Sequence, residues 1–172
     1  ISDESFAQFK YWEPTKQTKV DKLKYDEITK KVNQLLLQSV EKRLIADVPV
    51  GVFLSGGIDS STLVAAASKV AENKINTYSV TFDDKIYDEG IYARQIADLY
   101  ATNHKEIKVD PNYLLHNIDK YIKQMDHPTV DGLNSYVISK AVSDENIKVA
   151  ISGAGSDELF LGYPFYKLAS GR

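Results

Sequence analysis

The stretch "GVFLSGGIDSSTLVAAASKV", residues 51–70, joins an apolar run to a helix-like run through two adjacent glycines flanked by serines. The apolar residues 50–54 are typical of a buried strand, and residues 60–72 have the composition of a helix. Glycines at such a corner allow positive φ and let a ligand approach the backbone. A helix start also presents unpaired N–H groups, which bind anions. The corner therefore predicts either a phosphate-binding loop or a tight turn with a helix cap.

Asp59 is the residue on which these two interpretations differ. A carboxylate next to a phosphate is repulsive unless a cation offsets it, so the phosphate interpretation requires a cation such as Mg²⁺ held by Asp59. In the other interpretation Asp59 is the helix N-cap, a role that stabilises by about 1 kcal/mol. The corner alone leaves both open. It argues against a Walker loop, which needs a nearby Lys, and against a Rossmann loop, whose glycines are spaced differently.

A second corner of the same kind follows the apolar residues 147–152. There the sequence "SGAGSDE" (152–158) again combines serines and glycines with an acidic residue, Asp157. If the two preceding strands are close in one sheet, Asp59 and Asp157 face a common cavity at the carboxyl ends of the strands. Two such corners favour a metal–phosphate site over two unrelated turns.

Strands and helices alternate along the rest of the chain. Non-alternating apolar strands between helices predict an α/β fold, a parallel sheet with right-handed crossovers and helices on both faces. The predicted strands cover 50–54, 75–82, 104–109 and 147–152, and the predicted helices cover 25–47, 60–72, 88–101, 111–125, 131–145 and a segment from about 156. The helix at 25–47 has one apolar face, made of Ile28, Val32, Leu35, Leu36, Val40 and Leu44.

Composition excludes several classes of function. The 172 residues carry a formal net charge of -3, which argues against nucleic acid or an anionic membrane surface as a partner. The apolar runs are too short to span a bilayer. The chain has no cysteine, which excludes disulfides, thiolate metal sites and a Cys nucleophile within it and fits a reducing compartment. We expect a cytoplasmic protein.

The two corners together carry a family resemblance. "SGGIDSS" (55–61) resembles the pyrophosphate loop of N-type ATP pyrophosphatases. "DVPVGVFLSGGIDSS" (47–61) with "SGAGSDELFLGY" (152–163) resembles, more narrowly, the synthetase domain of glutamine-hydrolysing asparagine synthetases. "YDE" (87–89) leading into "YARQIA" (92–97), and "HPTVDGLNSYVISKA" (127–141), fit the same family. The resemblance implies an adenine nucleotide alpha hydrolase-like fold. It divides the chain into a linker or extension from a preceding domain, 1–24, and an ATP-pyrophosphatase domain, 25–172, truncated at its C-terminal end.

The resemblance also implies a reaction and the residues for it. The reaction is ATP-dependent adenylation of an aspartate-like carboxylate, followed by amide formation with ammonia and release of AMP and pyrophosphate. A small carboxylate and a glutaminase domain of the same full-length chain are the implied partners, and a homodimer is compatible with it. The resemblance implies that the β- and γ-phosphates are held by Ser55, Gly56, Gly57, Asp59 and Ser60. It implies that the adenosine and α-phosphate are lined by Leu54, Val80, Ser152 and Gly153. It implies that Mg²⁺ is held by Asp59 and Asp157.

The chain departs from the family pattern in three ways. It lacks the cysteine of the glutaminase domain, so it cannot itself release ammonia from glutamine. Ala154 stands where asparagine-forming members typically carry Glu, and the family's later catalytic lysine would lie beyond Arg172, so no catalytic residue is assigned. Two alternatives therefore remain open. One is a catalytically incomplete nucleotide-binding or interaction module, and the other is a related ATP pyrophosphatase that acts on another acceptor.

Overall fold

The computed structural model describes residues 7–11, 13, 23–81, 90–127, 129 and 132–169. Most of the predicted linker at 1–24 lies outside these residues. The "YDE" sequence at 87–89 also lies outside them.

Four parallel strands form one sheet. They are β1 (Val50–Phe53), β2 (Asn76–Thr81), β3 (Asn103–Lys108) and β4 (Val149–Ile151), and their spatial order is β3-β2-β1-β4. The register pairs Phe53 of β1 with Tyr78 on one side and Val52 with Ile151 on the other. Because the chain moves from β1 to β2 in one direction and returns to place β4 on the opposite side, the strand order reverses at β1. Both predicted corners therefore lie next to each other at the carboxyl edge of the sheet, one after β1 and one after the outer strand β4.

Seven helices accompany the sheet among the described residues: α1 (Tyr25–Arg43), α2 (Ile58–Val70), α3 (Gly90–Leu99), α4 (Pro111–Gln124), α5 (Gly132–Asp144), α6 (Ser156–Phe160) and α7 (Pro164–Ala169). Right-handed crossovers place α2 and α3 on one face of the sheet and α4 and α5 on the other. This arrangement confirms the predicted parallel α/β fold. None of the described helices has the length and apolar character needed to cross a bilayer.

The hydrophobic core lies directly beneath the first corner. Val52 and Leu54 from the end of β1 are 0% and 1% exposed, and Val64 and Ala67 of α2 are both 0% exposed. Burial of such side chains removes apolar surface from water, which is the main driving force for folding. The chain therefore enters the glycine–serine corner directly from the buried core.

The predicted apolar face of α1 is only partly buried. Val40 is 4% exposed and Leu36 and Leu44 pack against the core, whereas Leu35 remains 55% exposed. Val32 and Ile28, one and two turns nearer the start of the helix than Leu35, are 38% and 43% exposed. Within the described residues, the neighbours of α1 thus cover mainly its C-terminal half. The helix also ends at Arg43, four residues before the predicted end.

Candidate functional site

The first corner is held by hydrogen bonds between Ser55, Gly57 and Ser60. The backbone N–H of Ser55 donates to Ser60 Oγ over 3.2 Å, and Ser60 Oγ donates to the carbonyl of Gly57 over 3.1 Å. The N–H of Gly57 donates to Ser55 Oγ over 3.3 Å. The two hydroxyls lie 3.0 Å apart, and because Ser60 uses its proton on Gly57, Ser55 is the donor between them. Both hydroxyl protons are therefore committed inside the loop.

The backbone N–H groups at the start of α2 supply the anion-binding potential of this corner. Gly57 is the N-cap, and no side chain caps the helix. The first helical hydrogen bond is from Ser61 N–H to the Gly57 carbonyl, at 3.0 Å, so the preceding N–H groups of the first turn have no helical acceptor. These groups and the positive end of the helix dipole favour a bound anion.

Gly56 contacts the first turn of α3. Its φ is +86°, and a Cβ placed on it would lie 2.5 Å from Tyr92 Cβ and 2.8 Å from the backbone nitrogen of Ala93. Both the backbone conformation and the contact exclude a side chain there. The sequence predicted a helix here and a family resemblance over residues 92–97, but it did not predict that Tyr92 and Ala93 contact the first corner.

Asp59 is not the cap of α2. It occupies the second position of the helix, after the N-cap Gly57, which corrects the interpretation of Asp59 as an N-cap. The side chain is half-buried. No hydrogen bond or ion pair within the described part of the chain uses its carboxylate. A half-buried carboxylate without a protein partner is available for a cation.

The second corner repeats the hydrogen-bonding pattern of the first. The N–H of Ala154 donates to Ser152 Oγ over 3.2 Å, as Gly57 does to Ser55. Ser156 Oγ donates to the carbonyl of Gly153 over 2.8 Å, as Ser60 does to Gly57. Gly155 takes φ +94°. Similar residue spacing thus gives a similar loop after two neighbouring strands.

The two corners are in direct contact through Gly153. A Cβ on Gly153 would lie 3.2 Å from Asp59 Cβ and 3.3 Å from the backbone nitrogen of Ser60. Asp59, Ser152, Gly153 and Ala154 also line one groove of about 590 Å³ between the corners and α1. Its position, where the strand order reverses at the carboxyl edge, is the usual ligand position in open α/β sheets.

None of the other predicted residues lines this groove, Asp157 included, so the structure does not show Asp59 and Asp157 in one cavity. The side chain of Leu54 is buried in the core at 1% exposure, so only its main chain reaches the corner. Val80 lies near the carboxyl end of β2, which extends beyond the end of β1. Asp157 lies in the first turn of α6. Arg43, in the last turn of α1, does line the groove, and the sequence offered no signal for it.

The acidic residues available here fit a cation that shares its ligands with a bound nucleotide. Among the described residues no cluster of three or more His, Cys, Asp or Glu side chains is close enough to hold a metal by itself. Mg²⁺ is commonly held by one or two carboxylates together with substrate phosphates. Asp59 and Asp157, one from each corner, match that donor set.

His104 has a structural environment away from the corners. Its Nδ1 lies 2.9 Å from Thr77 Oγ1 and its Nε2 lies 3.2 Å from Ser79 Oγ. Burial lowers the pKa of His104 below its ordinary value of 6.5, against the opposing effect of nearby Glu106. Both ring nitrogens are occupied by hydroxyl partners, so His104 is not a free ligand.

Comparison with protein families and with known proteins gives one consistent result. The family model for asparagine synthase matches residues 31–172. The chain is 38% identical over 167 residues to the putative asparagine synthetase [glutamine-hydrolyzing] 2 of Methanocaldococcus jannaschii, covering 95% of this chain and 32% of that protein. It is 33% identical over 187 residues to amidase chry2 of Gibberella zeae, covering 98% of this chain and 28% of that protein. The chain therefore spans about a third of the length of these curated relatives.

Solved structures with the same fold are more distant in sequence. The NH3-dependent NAD synthetase from Campylobacter jejuni superposes with a TM-score of 0.51 at 18% identity, covering 78% of this chain and 60% of that one. The U34-tRNA thiolase NcsA from Methanococcus maripaludis also gives a TM-score of 0.51 at 18% identity, covering 74% and 46%. At this identity the likeness concerns the fold alone, and it confirms the adenine nucleotide alpha hydrolase-like architecture.

Proposed function

The chain belongs to the asparagine synthase family, and from this premise we propose that it is the nucleotide-binding part of an ATP-dependent amidotransferase synthetase domain. The observation that carries the proposal is the pair of matching serine–glycine corners. They follow the adjacent strands β1 and β4 and are each followed by an acidic residue. An α/β sheet of this topology binds ligands at that edge.

In the proposed site the first corner holds the β- and γ-phosphates of ATP. The N–H groups of the first turn of α2 point toward the anion, while Ser55 and Ser60 keep the loop in shape around Gly56 and Gly57. Asp59 and Asp157 would hold Mg²⁺, whose charge would stabilise the departing pyrophosphate. Leu54, through its main chain, and the residues Val80, Ser152 and Gly153 border the adenosine and α-phosphate.

The proposed chemistry has two displacement steps. An oxygen of the acceptor carboxylate attacks the α-phosphorus, the bond from that phosphorus to the bridging oxygen breaks, and pyrophosphate leaves with the electron pair. Ammonia then attacks the acyl carbon of the adenylate, and AMP leaves as the amide forms with loss of a proton. By holding the β,γ pair as a leaving group, the first corner leaves the α-phosphorus accessible to the acceptor.

The acceptor and the ammonia source are further parts of the proposal. An aspartate-like carboxylate would enter the groove beside Ala154. A glutaminase domain would supply ammonia, since this chain has no cysteine. The methyl group of Ala154, at a position where asparagine-forming members typically carry Glu, is the one observation that favours the alternative of a catalytically incomplete nucleotide-binding module.

Product analysis tests the proposal directly. The full-length protein is incubated with Mg²⁺, ammonia, a set of small carboxylates including aspartate, and ATP labelled separately at the α- and γ-phosphates. We expect label in AMP and in pyrophosphate, dependent on a carboxylate. ADP as the main product would contradict adenylation, and Mg-dependent ATP binding without any turnover would favour the incomplete module.

A further inference from the structure

Gly162 lies directly against the carboxylate of Asp157. A Cβ built on Gly162 would lie 1.8 Å from Asp157 Oδ1, 2.8 Å from its Cγ and 3.3 Å from its Cα. The first two distances are far shorter than any van der Waals contact. The carboxylate of Asp157 therefore occupies the space that any other residue at position 162 would need for its side chain.

The backbone around this contact is fixed by the end of α6. The N–H of Gly162 donates to the carbonyl of Asp157 over 3.0 Å. Leu161, the C-cap, takes the left-handed conformation with φ +59°, which is uncommon for a residue other than glycine. This turn brings Gly162 back onto the first turn of the helix that carries Asp157. Since the backbone is tied there, a clash is relieved most easily by rotation of the Asp157 side chain.

We propose that Gly162 is a positioning residue for Asp157: its lack of a side chain keeps the carboxylate in the orientation in which it binds a cation beside the nucleotide. The inference rests on the proposed function, because it assigns to Asp157 the cation of that site. It adds a residue that neither touches the nucleotide nor provides a ligand. Orientation of a metal ligand by a neighbouring group commonly accounts for 10- to 100-fold in metal affinity.

The test is the metal dependence of nucleotide binding. The affinity of this chain for a fluorescent ATP analogue is measured with Mg²⁺ and with a chelator, and Mn²⁺ binding in the presence of ATP is followed by electron paramagnetic resonance. For Gly162→Ala we expect the gain in affinity from the metal to fall about 10- to 100-fold. Binding of the nucleotide without metal should stay within about twofold, because the first corner is unchanged.

Three variants separate positioning from general damage. Asp157→Asn should give the same loss, and the double variant Gly162→Ala with Asp157→Asn should lose no more than Asp157→Asn alone. Gly51→Ala, in strand β1 and outside both corners, is the control for general damage, because its Cβ would lie 2.5 Å from the ring of Tyr78. It should lower the melting temperature and leave the metal dependence in place. If Gly162→Ala does not fold, the change is made in a Leu161→Gly background, which relieves the left-handed strain beside it.

The outcomes separate this inference from the proposed function. Metal dependence that is lost in Asp157→Asn and in Gly162→Ala, without additivity, supports it. Metal dependence lost in Asp157→Asn but retained in Gly162→Ala overturns this inference alone. Absence of any metal-dependent nucleotide binding by the unmodified chain overturns both.

Discussion

Ser60 is 9% exposed, and its hydroxyl makes three hydrogen bonds within its own loop, so its proton is not available to a ligand. The hydroxyl of Ser61, one residue later, is buried without a partner among the described residues. Two adjacent serines thus have opposite energetic roles. The first satisfies backbone groups of the corner, and the second leaves a buried polar atom unpaired, which is unfavourable.

Replacement of these serines by alanine should therefore have opposite effects. Ser60→Ala removes the partner of the Ser55 N–H and of the Gly57 carbonyl, and we expect a loss of about 1–3 kcal/mol in the free energy of unfolding. Ser61→Ala, the matched control, should be neutral within about 0.5 kcal/mol or slightly stabilising. Urea denaturation followed by circular dichroism measures both. Equal losses in the two variants would contradict the hydrogen-bonding scheme.

Asp59→Asn tests the other interpretation of this corner. Because Asp59 caps nothing, its charge contributes at most the interaction with the helix dipole, and we expect a stability loss below about 1 kcal/mol. Magnesium-dependent ATP binding should disappear. Asp119→Asn, on the exposed surface of α4, is the control and should change neither quantity. Retained magnesium dependence in Asp59→Asn would exclude this carboxylate from the cation site.

Residue types alone predicted both corners and the acidic residue after each, because strand ends, glycines and helix starts have strong local signals. They did not predict which hydroxyls are committed within the loop. The hydrogen-bond partners of the Ser55 and Ser60 hydroxyls depend on the path of the backbone between these residues. That path is set by contacts such as the one between Gly56 and Tyr92. Such contacts join residues far apart in sequence.

Helix α3 lies next to both the first corner and a polar network around His104 of β3. Its first turn packs against Gly56, and further along Arg94 forms an ion pair with Glu106 of β3. His104 lies beneath the same helix and bonds to the hydroxyls of Thr77 and Ser79. The charged groups that influence His104 are Glu106 on its own strand and Arg94 and Asp98 on α3.

The network makes folding stability sensitive to pH through His104. Burial lowers the pKa of His104 in the folded protein below 6.5, so below that pH the unfolded chain binds a proton that the folded protein does not. The contribution of His104 to stability is therefore complete above its ordinary pKa and is lost as pH falls through the folded value. The slope due to this one group is at most about 1.4 kcal/mol per pH unit.

His104→Asn should be less stable than the unmodified chain at neutral pH and should lose less stability between about pH 7 and pH 5. The first effect follows from the lost ring hydrogen bonds, and the second follows from removal of the titrating group. His127→Gln, at an exposed position, serves as the control and should keep the original slope. Urea denaturation across this pH range measures both, and an unchanged slope in His104→Asn would contradict the assignment.

The positions of the strands and helices were predicted better than the extent to which their apolar faces are buried. Strands β1, β2 and β4 lie at apolar stretches between helical segments, whereas β3 has the mostly polar sequence NHKEIK. The order of the strands follows from the crossover rules only once the position of β4 is known. The sequence predicted one buried face on α1, yet Leu35 is 55% exposed and only the C-terminal half of that face is well covered. Periodicity identifies which side of a helix is apolar. It carries no information about how far along the helix its neighbours extend.

For the whole molecule, the important relation is that the core and the binding edge share strand β1. Leu54 is 1% exposed, packs with the core residues of α2, and is followed immediately by Ser55 of the first corner. Its N–H is also bonded to the carbonyl of Tyr78 in the neighbouring strand over 2.8 Å. Val80 lies on the same edge but is only partly buried. The sequence predicts that Leu54 and Val80 both line the adenosine. In the structure the side chain of Leu54 belongs to the core, whereas that of Val80 is only partly buried.

This difference predicts separable effects of two alanine substitutions. Leu54→Ala creates a cavity at the centre of the sheet and should lower the free energy of unfolding by about 2–5 kcal/mol. Val80→Ala should cost only about 1 kcal/mol. If Val80 borders the nucleotide with its side chain and Leu54 with its main chain, ATP affinity measured under conditions where both variants are folded should fall for Val80→Ala and stay nearly unchanged for Leu54→Ala. The opposite pattern would mean that the side chain of Val80, at the end of β2, does not border the adenosine. The comparison works because the parallel sheet fixes both residues at one edge while only one of them contributes its side chain to the core.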